Sequence, residues 1–165
     1  TLPETLRSSA VLNADIATNR ANPRLVQMTM SHMKWGLNGR DFEMDMVASD
    51  ERVKNGDTEI WVFENGVSRE GMMMGSMMDG MELPHPMHIH GVQFQVLRRT
   101  QTKPTESWVQ IAPGFVDAGW KDTVLVMPGE RVEVIMRYTR PRVFLYHCHN
   151  LEHEDMGMMR NFEVV

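Results

Sequence analysis

Cysteine, basic charge and long apolar runs are all scarce in this chain. Its 165 residues include one Cys, and 17 Lys plus Arg stand against 22 Asp plus Glu, for a formal net charge of -5. One Cys cannot form an internal disulfide, and the lack of a basic run removes the electrostatic footprint of nucleic-acid binding. No apolar run approaches the roughly 20 residues that span a bilayer, and residues 1–20 lack the layout of a signal peptide. A single globular domain remains.

Short runs of alternating apolar and polar residues dominate the sequence after residue 23. This period of two is typical of half-buried strands, and turn residues such as Asn38-Gly39 and Pro128-Gly129 separate the runs. The pattern predicts an all-β antiparallel sandwich or barrel, with residues 1–23 as a connecting arm and 24–165 as the domain. The predicted strands lie at residues 24–33, 58–63, 88–97, 123–127, 131–138 and 143–148.

Six of the seven His lie in two short segments, and the only Cys lies within the second. The segments read HPMHIH at 85–90 and HCHNLEH at 147–153. In a strand, residues two apart share a face, so His147 and His149 point together and Cys148 points the opposite way. This clustering predicts metal ligands on both faces of one strand.

The face that carries the Cys offers a thiolate, imidazoles and a thioether. His153 and Met158 follow Cys148 along the chain, and His85 can add a second imidazole from another strand. Two His and one Cys in a trigonal plane with a weak axial Met form the ligand set of a blue copper centre. Spacing from the Cys favours Met158 for the axial position over the alternatives Met156 and Met159.

The opposite face carries four His, and neutral imidazole binds copper well. Because His147 and His149 flank Cys148 in the backbone, an electron arriving at Cys148 has a short covalent route to a metal on either neighbour. The second predicted site consists of His88, His90, His147 and His149.

Zinc chemistry is an alternative to copper. Residues 149–153, HNLEH, match the H-x-x-E-H zinc pattern of one group of metalloproteases. That pattern needs a helix with both His on one face, whereas residues 143–146 are typical of a buried strand, and Cys148 would be idle in a protease. Structural zinc sites usually employ several Cys. Zinc is therefore disfavoured.

A Met-rich segment at residues 71–81 precedes the first His segment. Its Gly residues argue against a stable helix, so we predict a long loop or a frayed helical turn. Two interpretations are open, apolar gap-filling and a soft thioether surface for Cu(I). We interpret the remaining His32 as structural. The Met residues of the segment are Met72, Met73, Met74, Met77, Met78 and Met81.

Several motifs together resemble the C-terminal cupredoxin domain of multicopper oxidases, especially bacterial three-domain laccases and cuprous oxidases. The resemblance rests on the two His segments, on DTVLVMPGERVEV from Asp122, on LNGRDF at 37–42 and on LPETL at 2–6, which is similar to an interdomain linker. It implies a cupredoxin-like Greek-key β-sandwich. It also implies a periplasmic, extracellular or cell-surface location.

The resemblance divides the copper ligands among three kinds of site. The family's trinuclear cluster uses eight His, four of them from an N-terminal domain, so this chain can supply only half. Electrons from a small reducing substrate, such as a phenol or Cu(I), would pass from the type 1 copper through Cys148 and His147 or His149 to the cluster, where O2 is reduced to water. The implied ligands are His85, Cys148, His153 and Met158 for type 1 copper, His88 for type 2, and His90, His147 and His149 for type 3.

The resemblance also suggests supporting residues and partners. Glu154 is similar to an acidic residue that relays protons toward the cluster in some family members, and Glu82 or Asp79 is close enough in sequence to hydrogen-bond His85.

The N-terminal and middle domains of the same oxidase are the implied partners, and the chain alone is expected to be inactive. The alternative function is an autonomous blue-copper electron carrier. A copper nitrite reductase is more distant, since its Cys strand does not normally carry His on both sides.

Overall fold

Two five-stranded sheets account for most of the fold. The computed structural model describes residues 10–31, 34–66, 83–101 and 104–165. Its strands and α-helices are β1 (Arg24–Ser31), β2 (Lys34–Leu37), β3 (Arg52–Val53), β4 (Thr58–Asn65), β5 (His85–Ile89), β6 (Phe94–Gln101), α1 (Glu106–Ile111), β7 (Thr123–Val126), β8 (Glu130–Arg137), β9 (Arg142–Cys148), α2 (Leu151–Asp155) and β10 (Met159–Val164). The first sheet has the order β2-β1-β4-β8-β6, and the second has the order β3-β10-β9-β5-β7.

The sheets enclose a single main cluster of buried apolar side chains. Trp61, Phe63 and Phe94 from the first sheet join Met87 and Phe162 from the second in this cluster, and all five are almost completely buried. Burial of such large apolar side chains is the main force that holds two sheet faces together. The predicted all-β, cupredoxin-like sandwich is confirmed.

Details of the strand prediction differ from the structure. The run at 88–97 is two strands, because Gly91 adopts a φ of 76°, which favours glycine, and turns the chain between them. The sheets are not purely antiparallel, since β1 pairs in parallel with β4 and β10 pairs in parallel with β3. Alternation reports which face of a strand is buried, and it carries no information on strand direction.

Part of the predicted arm is held against the first sheet. The Leu12 N–H donates to Gln95 Oε1 at 2.8 Å, and Gln95 Nε2 donates to the Ala10 carbonyl at 2.7 Å. The Asn19 side chain accepts from the Ile60 N–H at 2.8 Å and donates to the Ile60 carbonyl at 2.9 Å. The boundary at residue 23 remains a prediction. Among the described helices, none has the length and apolar character needed to cross a membrane.

Candidate metal centre

Strand β9 lies inside the second sheet, between β10 and β5, and presents His147 and Cys148 to opposite sides. In the pairing with β5, Cys148 stands opposite Met87 and His147 stands opposite His88. Potential ligands gather accordingly in two groups, one with His85, Cys148 and His153 and the other with His88, His90 and His147. The period of two along β9 thus separates the two groups.

The first group brings three donor atoms together. Cys148 Sγ lies 3.5 Å from His85 Nδ1 and 3.4 Å from His153 Nδ1, and the two nitrogens are 3.1 Å apart. The three atoms are close enough together to bind one metal ion. One thiolate and two imidazoles suit copper. The residues present therefore fit a copper ion.

Burial keeps the two imidazoles of this group uncharged. It lowers the pKa of His85 to about 3, with a smaller contribution from the charge of His153, and it also lowers the pKa of His153. Burial raises the pKa of the Cys148 thiol to about 11. Neutral imidazoles have a free electron pair for a metal, whereas the thiol must lose its proton when a metal binds.

Met158 differs from the neighbouring Met156 and Met159 in its burial and backbone contacts. It is fully buried, whereas 50% of Met156 is exposed. The Met158 N–H donates to the His153 carbonyl at 2.9 Å, and the Met158 carbonyl accepts from the Cys148 N–H at 3.0 Å. Met159 begins β10 and pairs with His147, on the other side of the strand. Met158 is thus the buried Met of the three, with its backbone bonded to His153 and Cys148, and its role as an axial ligand remains a prediction.

With the neighbouring His149 included, the second group contains the four remaining His of the two segments, and the ligand atoms of His88, His90 and His147 lie within 4.8 Å of one another. His90 Nε2 lies 3.0 Å from His147 Nε2, and burial lowers the pKa of His90, as do His88 and His147. His88 Nδ1 lies 2.8 Å from the Asp122 carbonyl oxygen, so it donates there and leaves the Nε2 electron pair free for a metal. The exposed His149 ring is centred 5.4 Å from that of His147.

Glu154 is adjacent to the second group. Its Oε2 lies 3.6 Å from His147 Nδ1, and about a third of its side chain is exposed. His147 Nδ1 also lies 3.1 Å from the Cys148 carbonyl oxygen. Glu154 is thus a carboxylate that reaches both solvent and a candidate ligand, as a proton relay requires.

The H-x-x-E-H pattern does not form a zinc site in the described structure. His153 lies on α2, but His149 precedes that helix and its cap residue Asn150. The ring of His149 is near the second group, whereas His153 belongs to the first. The geometry that a metalloprotease needs is therefore absent from this segment.

Trp35 is a site residue that sequence reasoning missed. Its indole is centred 4.9 Å from the His85 ring and 4.6 Å from the His153 ring. No metal-ligand motif includes a Trp, so only the folded structure reveals this contact.

Other predictions lie outside the described residues, namely the Met-rich segment from Met72 to Met81, His32, Asp79 and Glu82.

A cavity of about 630 Å³ opens beside the second group. It is lined by His88 and His90 together with Trp120, Arg137 and Arg140. His90 and His149 are exposed on the same part of the molecule. The second group is therefore open on the side of His90 and His149, whereas its member His147 and the whole first group are buried.

Comparison with known proteins agrees with this donor set. The sequence model of the multicopper oxidase family matches residues 17–165. The chain belongs to the multicopper oxidase family. Copper is thus the metal that the family implies for these residues, and the relatives of this multicopper oxidase chain are oxidoreductases.

Individual relatives show how much of an oxidase this chain represents. The multicopper oxidase of Staphylococcus aureus is 32% identical over 128 residues, which are 78% of this chain and 24% of that protein. The laccase of Bacillus stratosphericus is 30% identical over 158 residues, covering 87% of this chain and 28% of that enzyme. The crystal structure of the multicopper oxidase McoA from Aquifex aeolicus aligns with a TM-score of 0.73 at 30% identity, covering 99% of this chain and 33% of that one. The chain thus spans about a quarter to a third of these multicopper oxidases.

Proposed function

We propose that this chain is the C-terminal, type 1 copper domain of a laccase-like multicopper oxidase. One observation carries the proposal: Cys148 belongs to a buried thiolate and imidazole group, while its neighbour His147 belongs to a separate group of His. The backbone between these two residues is a short covalent connection between the two groups. An oxidase that takes electrons at one site and delivers them at another needs such a connection.

Each residue of the first group has a defined role. His85, Cys148 and His153 would hold type 1 copper, with the thioether of Met158 as a weak further ligand. A copper ion held there would supply one-electron chemistry for the reducing substrate, either a phenol or Cu(I). The buried surroundings keep water away from these side chains, and solvent access is one of the factors that set the reduction potential of a bound metal.

The second group supplies half of a trinuclear site. His88 would serve type 2 copper, and His90, His147 and His149 would serve the type 3 pair, while Glu154, beside His147, would relay protons toward the cluster. The N-terminal and middle domains of the oxidase complete the site. The overall reaction joins O2, four electrons and four protons to form two waters. We place the enzyme in the periplasm, outside the cell or at its surface, as the family resemblance suggests.

An autonomous blue-copper electron carrier would need only the first group. It has no use for the four His of the second group, three of which lie within 4.8 Å of one another through their ligand atoms. This convergence favours the oxidase.

Copper reconstitution of the chain tests the proposal. We expect a blue thiolate-to-copper absorption band that Cys148→Ser abolishes and that Met156→Leu, a change at an exposed Met, leaves intact. The chain alone should show no sustained oxidation of phenols or diamines. In the full oxidase, His90→Ala should retain the blue band and lose O2 reduction. Robust turnover by the isolated chain, or a blue band that survives Cys148→Ser, would contradict the proposal.

A further inference from the structure

Trp35 is in contact with both imidazoles of the first group, although it comes from the other sheet. It lies on β2, the outermost strand of the first sheet, whereas His85 lies on β5 of the second sheet and His153 on α2. The indole meets the His85 ring edge-on, with an interplanar angle of 69°, and the His153 ring at 37°. A single side chain thus links two ligands from separate parts of the fold.

Among the described residues, two neighbouring rings, Trp35 and His153, pack against the His85 ring. His85 Nε2 is buried and has no hydrogen-bond partner among the described residues. Metal-binding His normally donates this second N–H to a carboxylate, carbonyl or water, which fixes the ring orientation. A neighbouring aromatic ring also fixes the orientation of an imidazole, since aromatic rings with centroids about 4.5–7 Å apart attract each other beyond the effect of burying their area.

We propose that Trp35 is a positioning residue for the type 1 copper site, holding the rings of His85 and His153 and excluding water from them. The inference rests on the proposed function, because it concerns the potential and affinity of that copper. Trp35 is partly buried and packs against the main core cluster, and its indole lies against both imidazole rings.

The physical consequence concerns the balance between the two copper oxidation states. Water near the ligands stabilises Cu(II), which has the higher charge, more than Cu(I). An indole that excludes water therefore raises the reduction potential. Fixed rings also reduce the cost of ordering the site when copper binds, so Trp35 should increase copper affinity.

Substitution of Trp35 in the copper-loaded chain tests this inference. Trp35→Ala should weaken copper binding roughly 10–100-fold, as is usual when outer support of a metal ligand is removed. Trp35→Ala should also lower the reduction potential and shift the thiolate-to-copper band. Trp35→Phe should keep the copper affinity, the potential and the band close to wild type. The matched control is Trp108→Ala, which removes a half-buried indole that donates to Glu130 Oε1 at 3.1 Å, away from the ligands.

The outcomes separate this inference from the function itself. If Trp35→Ala leaves potential and affinity as unaltered as Trp108→Ala does, the inference is wrong. If Trp35→Ala does not fold, Trp35→Phe and Trp35→Leu are compared instead. The reduction potential of Trp35→Phe should then be closer to wild type than that of Trp35→Leu, and equal shifts in the two potentials would overturn the inference. A wild-type chain that forms no blue centre at all would contradict the proposed function instead.

Discussion

Removing the charge of Glu51 should destabilise the chain strongly, because that charge is buried next to Arg160 on β10. Glu51 and Arg160 are 4% and 2% exposed. Arg160 Nε and Nη2 each donate to a different Glu51 oxygen at 2.7 Å. The Tyr146 hydroxyl donates to the same carboxylate at 3.1 Å, and the Ala48 N–H does so at 2.9 Å. Glu51→Gln keeps the shape but leaves the guanidinium charge without its counter-charge.

The expected loss is about 3–5 kcal/mol, the usual cost of removing one partner of a buried ion pair. For a chain of this size, each kcal/mol lowers the melting temperature by about 2–4 °C, so the shift is roughly 6–20 °C. Arg160→Met added to Glu51→Gln should recover part of the loss, since the double variant has no unpaired buried charge.

The matched control is another acid–arginine pair that involves β10. Arg52 Nε lies 3.0 Å from Glu163 Oε2, but 58% and 30% of these side chains are exposed. Glu163→Gln should therefore cost only about 0–1 kcal/mol. Urea and thermal unfolding of the metal-free chain measure both values. Equal losses for the two variants would refute the argument from burial.

The same pair predicts how stability depends on pH. Burial alone would raise the pKa of Glu51, but hydrogen bonds from Arg160 and the Ala48 N–H outweigh it and lower the pKa below the ordinary 4.5. A lowered folded-state pKa contributes stability above pH 4.5 that is lost as the pH falls through the folded value. Glu51→Gln should flatten this acid dependence, measured as unfolding free energy between pH 6 and pH 3.

Two further variants test local geometry. Gly91→Ala should be clearly more destabilising than Gly119→Ala. Both glycines have a positive φ, so either substitution adds a backbone strain of about 1–2 kcal/mol. Only at Gly91 would the new methyl group also clash with the Phe144 ring. Equal unfolding free energies would exclude the clash. Thr105→Ala should lower the free energy of unfolding by about 1 kcal/mol, because Thr105 Oγ1 accepts a hydrogen bond from the Trp108 N–H at the start of α1. Thr105→Ser should retain that bond. An equal decrease in the free energy of unfolding for Thr105→Ser would contradict the capping explanation.

The separation of the two ligand groups could be predicted from the sequence alone. His147, Cys148 and His149 follow one another directly, and the alternation of strand side chains determines which of them share a face. The structure shows this separation for Cys148 and His147. The assignment of particular residues to particular coppers still rests on the family resemblance and remains a prediction.

Other features depend on how distant segments approach each other, which alternation does not encode. Trp35 reaches the ligands because the edge of one sheet lies near α2 and β5 of the other. The Asp122 carbonyl reaches His88 because β7 pairs with β5. Neither contact has a sequence motif, and the parallel pairing of β1 with β4 is equally invisible in the pattern of residues.

The register of β9 against its two neighbouring strands determines whether the two ligand groups can form. A shift of one residue in a strand moves every side chain to the opposite face, so it would place the thiol in the open His group and an imidazole in the core. Pairing on both sides guards against this error, because His147 stands opposite Met159 on β10 and opposite His88 on β5. A one-residue shift of residues 147–149 against both neighbouring strands would therefore leave every candidate ligand in the chain and take both ligand groups apart.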